Sequence, residues 1–570
     1  MPRSPRPRRS RRPRHPRRSA AHAWATLVYA GALLVPGALL VLCYIGFDLP
    51  LAGLSAYDTY RADTDQMMRL VGTVAAMREP IDWAAPITLA SVNAPDGSTL
   101  VYIDGMPAVT MALRLAAQAG VWIDPAAVLS GVLVVALIAA PAAAAAVARA
   151  FGADRPTALI AGALIPWLAP LVWFANQYQH SILPWMPVAI VVAATVGVER
   201  GRRFSAIAMA AALGAWWIHA YHGAMVSLTL LLTILFVFRR VPQVTVLRMA
   251  AAAILPPLSL VALGGVAGVS DGGMTSPADL SGIATFFDAR IIGLPILPDE
   301  EIAFAWGILL PVAAVIGGRL LLRTAPAAAV VALLSALIAT GTVSGGGLVP
   351  DLLFEQIPPI GIFRYTDRFA LLTALILFGA AAATCSTWIA HARPRHVGHQ
   401  RRAAILVAGA AVFVAQAASF ASVRDWLSEP GRTHDSYPAP LVAADQELLR
   451  AHDRLHPEPF HACPSAYDET ARARLGMEAQ FNLVAASMGV PSTSMQVVRY
   501  PTRDCATGLP VLSGDLLLLI DPTIVPPVDV ACVPLTTRLA EGIGIRVCST
   551  QRAALERYAE RLEAFNAVSE

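Results

Sequence analysis

The chain has no lysine: all 43 of its basic residues are arginine. With alanine runs such as Ala142 to Ala146, this reflects a GC-rich bacterial genome, a matter of codons rather than chemistry. Charge of either sign is scarce. Only 14% of the 570 residues are charged against 56% hydrophobic, with a mean hydropathy of +0.57, which excludes a string of soluble domains and describes a membrane protein. Cysteine is limited to six residues with no CxxC spacing, so nothing supports a zinc site of that kind. Acids are missing from residues 1–18, which hold nine arginines. The tail 1–23 therefore has no apolar face to bury and stays disordered. Because an apolar span follows directly, the tail reads as a cytoplasmic orientation signal able to touch anionic headgroups, not as a nucleic-acid site.

What is present is a succession of apolar windows: 24–47, 126–149, 157–175, 181–198, 204–219, 222–239, 247–268, 303–320, 325–343, 366–390 and 402–423. These predict a polytopic α-helical membrane protein of about 11 transmembrane helices, with a transmembrane domain over 24–424. With the N-terminus inside, the arginines at 149, 155, 200, 202, 203, 239, 240, 248, 319, 323, 393, 395, 401 and 402 fall in inner turns, as the positive-inside rule requires. The expected location is the bacterial inner membrane. An odd count of spans puts residues 425–570 outside, where the composition turns ordinary and a small α/β domain is expected. Its helices are predicted at 470–488 and 551–566 and its strands at Met495 to Tyr500 and Leu516 to Ile520. Cys463, Cys505, Cys532 and Cys548 all fall in this exported part, which suggests two disulfides with three possible pairings. The favoured set joins Cys463 with Cys505 and Cys532 with Cys548.

Candidate functional residues gather on the outer face. The first outer loop, 48–125, carries Asp63, Asp65 and Asp104, and two stretches, 65–79 and 106–120, read as helices lying in the membrane interface. Asp63 and Asp65 could hold a divalent cation or act as a base; exported acids are also often simply solvated. His180 opens a span after a polar turn and suits a phosphate contact, a proton shuttle or a headgroup anchor. His219 and His222 share one helical face if the helix continues through them, which admits a metal pair, while a phosphate or sugar contact involving Tyr221 fits as well. Arg364 and Arg368 flank Asp367: guanidinium groups at an outer span start suit a lipid-linked phosphate, and a salt-bridge cluster is the plainer reading.

Taken in order, residues 94–107, 180–185, 219–221, 303–308 and 362–369, with Ala471 to Arg499 in the tail, resemble the GT-C superfamily of integral-membrane glycosyltransferases. The likeness is to a family of uncharacterised bacterial membrane proteins placed in that superfamily. The resemblance implies a polyprenyl-phosphate sugar donor, inverting transfer to an extracytoplasmic glycan, lipid or protein acceptor, and a loop-one carboxylate as base, by position Asp63, Asp65 or Asp104. A divalent cation, Mg or Mn, is the candidate cofactor; membrane lipids are the surrounding partners and nucleic acid is not one. Three other functions share the same features: a polysaccharide polymerase or ligase, a transporter of lipid-linked saccharides, and a non-catalytic envelope assembly protein.

Overall fold

The computed structural model describes residues 64–92, 98–101, 106–168, 184–264, 309–341 and 366–391. It also describes most of 29–41, four short strands between 461 and 549, and scattered positions within 400–411 and 552–560. The helices are α1 (Thr64–Arg78), α2 (Pro107–Gln118), α3 (Pro125–Phe151), α4 (Arg155–Leu164), α5 (Met186–Glu199) and α6 (Ala206–Ile218). They continue with α7 (Ala220–Val237), α8 (Gln243–Ala262), α9 (Leu309–Thr324), α10 (Pro326–Gly341) and α11 (Ala370–His391). Many of them start on proline: α2, α4, α5 and α10 carry one within their first two positions. There the missing N–H deletes a donor the helix could not have used.

Among the described residues, four helices are long and apolar enough to cross a membrane: Ala127–Phe151, Ala220–Val237, Gln243–Ala262 and Ala370–His391. Three more, Met186–Glu199, Ala206–Ile218 and Pro326–Ala339, are apolar but short. The span expected over 157–175 is interrupted, because α4 ends at Leu164 and a 3-10 turn, Ile165–Trp167, follows. Pro166 has no N–H with which to continue the ladder. The window over 402–423 is only touched, at a few helical positions. The count of about 11 spans is thus matched only in part by described helices. Helix α11 is the central post, with 72% of its most apolar window buried against 33% for the peripheral α8. It lies close enough to α9 that a Cβ at Gly317 would fall 2.7 Å from the Ala381 backbone nitrogen.

The two ends of the bundle differ chemically. At one end the arginine-bearing turns are bound together: Arg200 Nη1 donates to the Ala150 carbonyl at 2.7 Å, the Asp154 N–H donates to Ser386 Oγ at 3.0 Å, and the Glu199 carboxylate accepts from the N–H groups of Ala327 and Ala328 at 2.9 and 3.3 Å. Asp154 also caps α4 through Thr157, and Ser205 caps α6 through Ala208. Arg248, expected in a turn, lies inside α8.

The opposite end is covered by part of the first long loop. The structure has helices where 65–79 and 106–120 predicted them, and α1 and α2 pack on each other. Thr73 and Thr110 hydroxyls meet at 3.2 Å. Leu70, Val74, Ala76, Ile87, Leu89, Val92, Leu100 and Met106 form a core of their own. A two-residue antiparallel ladder, β1 (Thr88–Leu89) with β2 (Ser98–Thr99), closes it. A short amphipathic helix has the same sequence pattern whether its apolar side meets lipid or another helix, so periodicity could not decide between them. This cap is pinned by two ionic side chains. Arg114, fully buried, donates to the carbonyls of Pro80, Pro86 and Glu79 at 2.6, 2.7 and 3.3 Å. The Glu79 carboxylate accepts from the N–H groups of Ala90 and Ser91 and from the Ser91 hydroxyl at 2.8, 3.0 and 2.6 Å. Burial pushes the Arg114 pKa down from the ordinary arginine value, and the nearby Glu79 and Asp82 carboxylates raise it again.

In the C-terminal tail, β3 (His461–Cys463), β4 (Leu517–Leu519), β5 (Ala531–Pro534) and β6 (Arg546–Ser549) form one mixed sheet in the order β3-β4-β6-β5, parallel only between β3 and β4. The strand expected at Leu516 to Ile520 is β4. The helix at 470–488 and the strand at Met495 to Tyr500 lie outside the described residues, and 551–566 is helical at the few positions described.

Arg114→Lys is expected to loosen the cap by about 1–3 kcal/mol, since one ammonium cannot serve three separated carbonyls. Faster amide exchange over residues 85–92, with the bundle amides unchanged, is the measurement that checks it.

Candidate functional site

The site forms where α6 meets α7. His219 is at once the last cap of α6 and the first of α7, in an extended conformation with φ −162° and ψ 135°. The helix therefore does not run through His219 and His222, so the condition on which a shared helical face depended is not met. The two rings still come together, at 5.3 Å between centroids, because the cap residue stands beside the third residue of the helix it opens. The His219 carbonyl accepts from the Gly223 N–H at 3.0 Å, which starts α7. Tyr221 stacks on His219 at 5.2 Å with 17° between the planes.

The fourth member arrives from far along the chain. A 3-10 turn, Thr366–Phe369, leads into α11. From it Arg368 sets its guanidinium carbon 4.7 Å over the Tyr221 ring, while Phe369 lies 6.3 Å from the same ring. His219, His222, Tyr221 and Arg368 are all buried. A guanidinium stacked on an aromatic face gains a cation–π attraction, and its planar fork of donors matches the geometry of carboxylates and phosphates. Imidazole N–H groups are donors of the same kind. The grouping gathers two imidazoles, a tyrosine ring and a guanidinium in one buried place.

Of the residues singled out in the sequence, the structure unites His219, Tyr221, His222 and Arg368. Asp65 falls in the first turn of α1. Asp63, Asp104, His180 and Arg364 lie outside the described residues, as does Cys505. Cys532 is disulfide-bonded, and the β5–β6 register sets it directly opposite Cys548, whereas Cys463 faces Leu519. Among the described residues no group of three His, Cys, Asp or Glu could hold a metal ion. The two histidines supply two ligands at most. A Mg or Mn ion at Asp63 and Asp65 would fall outside the described side chains.

Sequence reasoning passed over the residues that set this geometry. Trp216 lies flat against Gly223, where a Cβ would come within 2.1 Å of the ring. Its indole N–H donates to Ser227 Oγ at 3.0 Å, and the Ser227 hydroxyl donates to the Ala253 carbonyl at 2.8 Å. That carbonyl would ordinarily accept from residue 257, which is a proline inside α8 and has no N–H to give. The one signal available was the Pro256-Pro257 pair within an apolar window, which announces carbonyls in need of partners. Phe369 stands inside the quoted 362–369 stretch without having been marked.

No family model matches the sequence, and no curated protein matches it. Among solved structures, the fold is similar to the crystal structure of the oligosaccharyltransferase of Archaeoglobus fulgidus in complex with Zn and sulfate. The identity is 12% and the TM-score 0.37, over 81% of this chain and 62% of that one. The chain thus corresponds to less than two thirds of that protein's length.

Gly223→Ala is expected to drive the Trp216 indole off its seat and lower stability by about 1–3 kcal/mol. Gly214→Ala, where an added Cβ meets open space, should be neutral or slightly stabilising through helix propensity. The fraction of each variant left monodisperse after graded heating in detergent separates the two.

Proposed function

We propose that the chain is a membrane glycosyltransferase of GT-C type that moves a sugar from a polyprenyl-phosphate donor to an extracytoplasmic glycan, lipid or protein acceptor. The observation that carries this reading is the buried grouping of His219, Tyr221, His222 and Arg368 at the end of the bundle opposite the arginine turns. The resemblance of the sequence stretches to the GT-C superfamily supports it. If the arginine turns face the cytoplasm, as the positive-inside rule implies, the anion site faces outward.

In the reaction, an acceptor hydroxyl oxygen bonds to the anomeric carbon as its proton passes to a loop-one carboxylate, Asp63, Asp65 or Asp104. The bond from that carbon to the phosphate oxygen breaks, and the electron pair leaves with the phosphate. Configuration at carbon inverts. Negative charge builds on the departing phosphate, beside which Arg368 and the imidazole donors of His219 and His222 are preorganised; Tyr221 keeps the guanidinium in place. His180 and Arg364 complete the lipid-phosphate contacts in this reading, and a divalent cation at Asp63 and Asp65 would add positive charge. The exported sheet is held by disulfides, Cys532 with Cys548 and Cys463 with Cys505.

The test is made in a strain lacking the chain, complemented with wild type or variants at equal membrane abundance, reading surface glycans and lipid-linked sugars. Arg368→Gln is expected to lower transfer about 100-fold, with donor lipid accumulating, and one of Asp63→Asn, Asp65→Asn or Asp104→Asn to abolish it. Full product from Arg368→Gln and from all three aspartate variants would overturn the reading. Loss of donor lipid from the outer leaflet, instead of its accumulation, would point to transport.

A further inference from the structure

We propose that Trp216 is a positioning residue that makes the seating of the loop-one cap and the geometry of the histidine turn a single linked arrangement. The inference rests on the proposed function only for the identity of what the turn binds.

Trp216 stands at a boundary. Its ring packs against the bundle core and also against the cap core, and Trp217 and Ile218 join it as the floor on which the cap sits. Ile218 is followed directly by His219, so the segment that carries the cap is continuous with the one that aims the imidazole. The indole cannot drift freely. Its N–H is held by Ser227, and the Ser227 hydroxyl is committed to the carbonyl that Pro257 leaves open. Its face fills the space at Gly223, whose own N–H is bonded to His219 and whose chain neighbour is His222. Lifting the cap would strip one side of the ring while the other stays pressed on the turn. The ring would re-seat, and with it the backbone from His219 to Gly223. Packed interfaces of this kind exchange between discrete arrangements and do not deform smoothly.

The cap can be loosened from a distance. Arg114 pins it through the carbonyls of Glu79, Pro80 and Pro86 and touches none of the site residues. A milder handle is Gln118, whose side-chain amide donates to the Glu79 carbonyl at 3.1 Å.

The experiment uses the full chain in lipid nanodiscs with ring-15N histidine, the His219 and His222 signals being assigned from His219→Gln and His222→Gln, and inorganic phosphate as the probe. Arg114→Gln, or Gln118→Ala if the first variant does not fold, is expected to speed amide exchange over residues 85–92 about tenfold. It should also shift both histidine signals and raise half-saturating phosphate about fivefold. In a Trp216→Phe background, which lacks the indole N–H, the same cap variant should accelerate exchange and leave the histidine signals and the phosphate response where Trp216→Phe alone has put them. Accelerated cap exchange with unmoved histidine signals in the presence of Trp216 overturns the coupling. Absence of any phosphate response in the wild-type chain overturns the anion-site reading instead, and the histidine signals still decide whether cap and turn are linked.

Discussion

Pro257 has no N–H, so inside an apolar helix it leaves the Ala253 carbonyl to find another donor. Water would serve on a surface; in lipid, leaving such a group bare costs several kcal/mol, on the order of 2–7. Ser227 meets the need and in doing so locks α7 to α8, and the acceptor side of the same hydroxyl takes the Trp216 indole and locks α6 to both. Gly223 is the residue without a side chain that lets the indole lie there. The hairpin of α6 and α7 is thereby fixed in register, and its turn carries His219, Tyr221 and His222 as a consequence. Arg368 only has to reach a place already built.

The same accounting explains why the two ends of the bundle cannot exchange roles. At one end cations and an acid are absorbed by helix termini: Arg149 and Arg200 serve carbonyls where α3 ends, and Glu199 serves N–H groups where α10 begins. Each charge sits where the helix dipole favours it. Those arginines fix architecture. At the other end the cationic group is held by an aromatic face and has imidazoles for company. Placement on a π face adds an electrostatic attraction that holds the guanidinium at this end.

Much of the frame was legible in the sequence because lipid and helix termini impose local rules. Apolar windows marked α3, α7, α8 and α11, and arginines marked where chain direction reverses. The site was half legible. His219, Tyr221, His222 and Arg368 stood out as polar residues at span ends, yet nothing local joins Arg368 to Tyr221, because their contact depends on how α7, α10 and α11 assemble. The single extended residue at His219 was hidden as well. The apolar windows 204–219 and 222–239 did place a break here, but its form, a single extended residue, alters neither composition nor periodicity enough to be read. Trp216 escaped for the opposite reason: a tryptophan near a span end is so common at membrane surfaces that its contact with Gly223 gave no sign. The lone Arg114 on an otherwise apolar stretch was the clearer clue, since a charge in that setting demands several carbonyls and therefore a folded loop to provide them.

The hairpin is also lopsided. Its arms hold 13 and 18 residues, about 20 and 27 Å of helix, where a hydrocarbon core is about 30 Å thick. With α5 at 14 residues beside it, two of these three helices are shorter than the hydrocarbon core, and α7 is long enough to cross it. A stretch shorter than the hydrocarbon core is accommodated by local thinning of the bilayer, which would bring headgroups closer to helix ends such as the turn at His219. In a bilayer the thickness of the surrounding membrane would thus enter the energetics of the turn at His219.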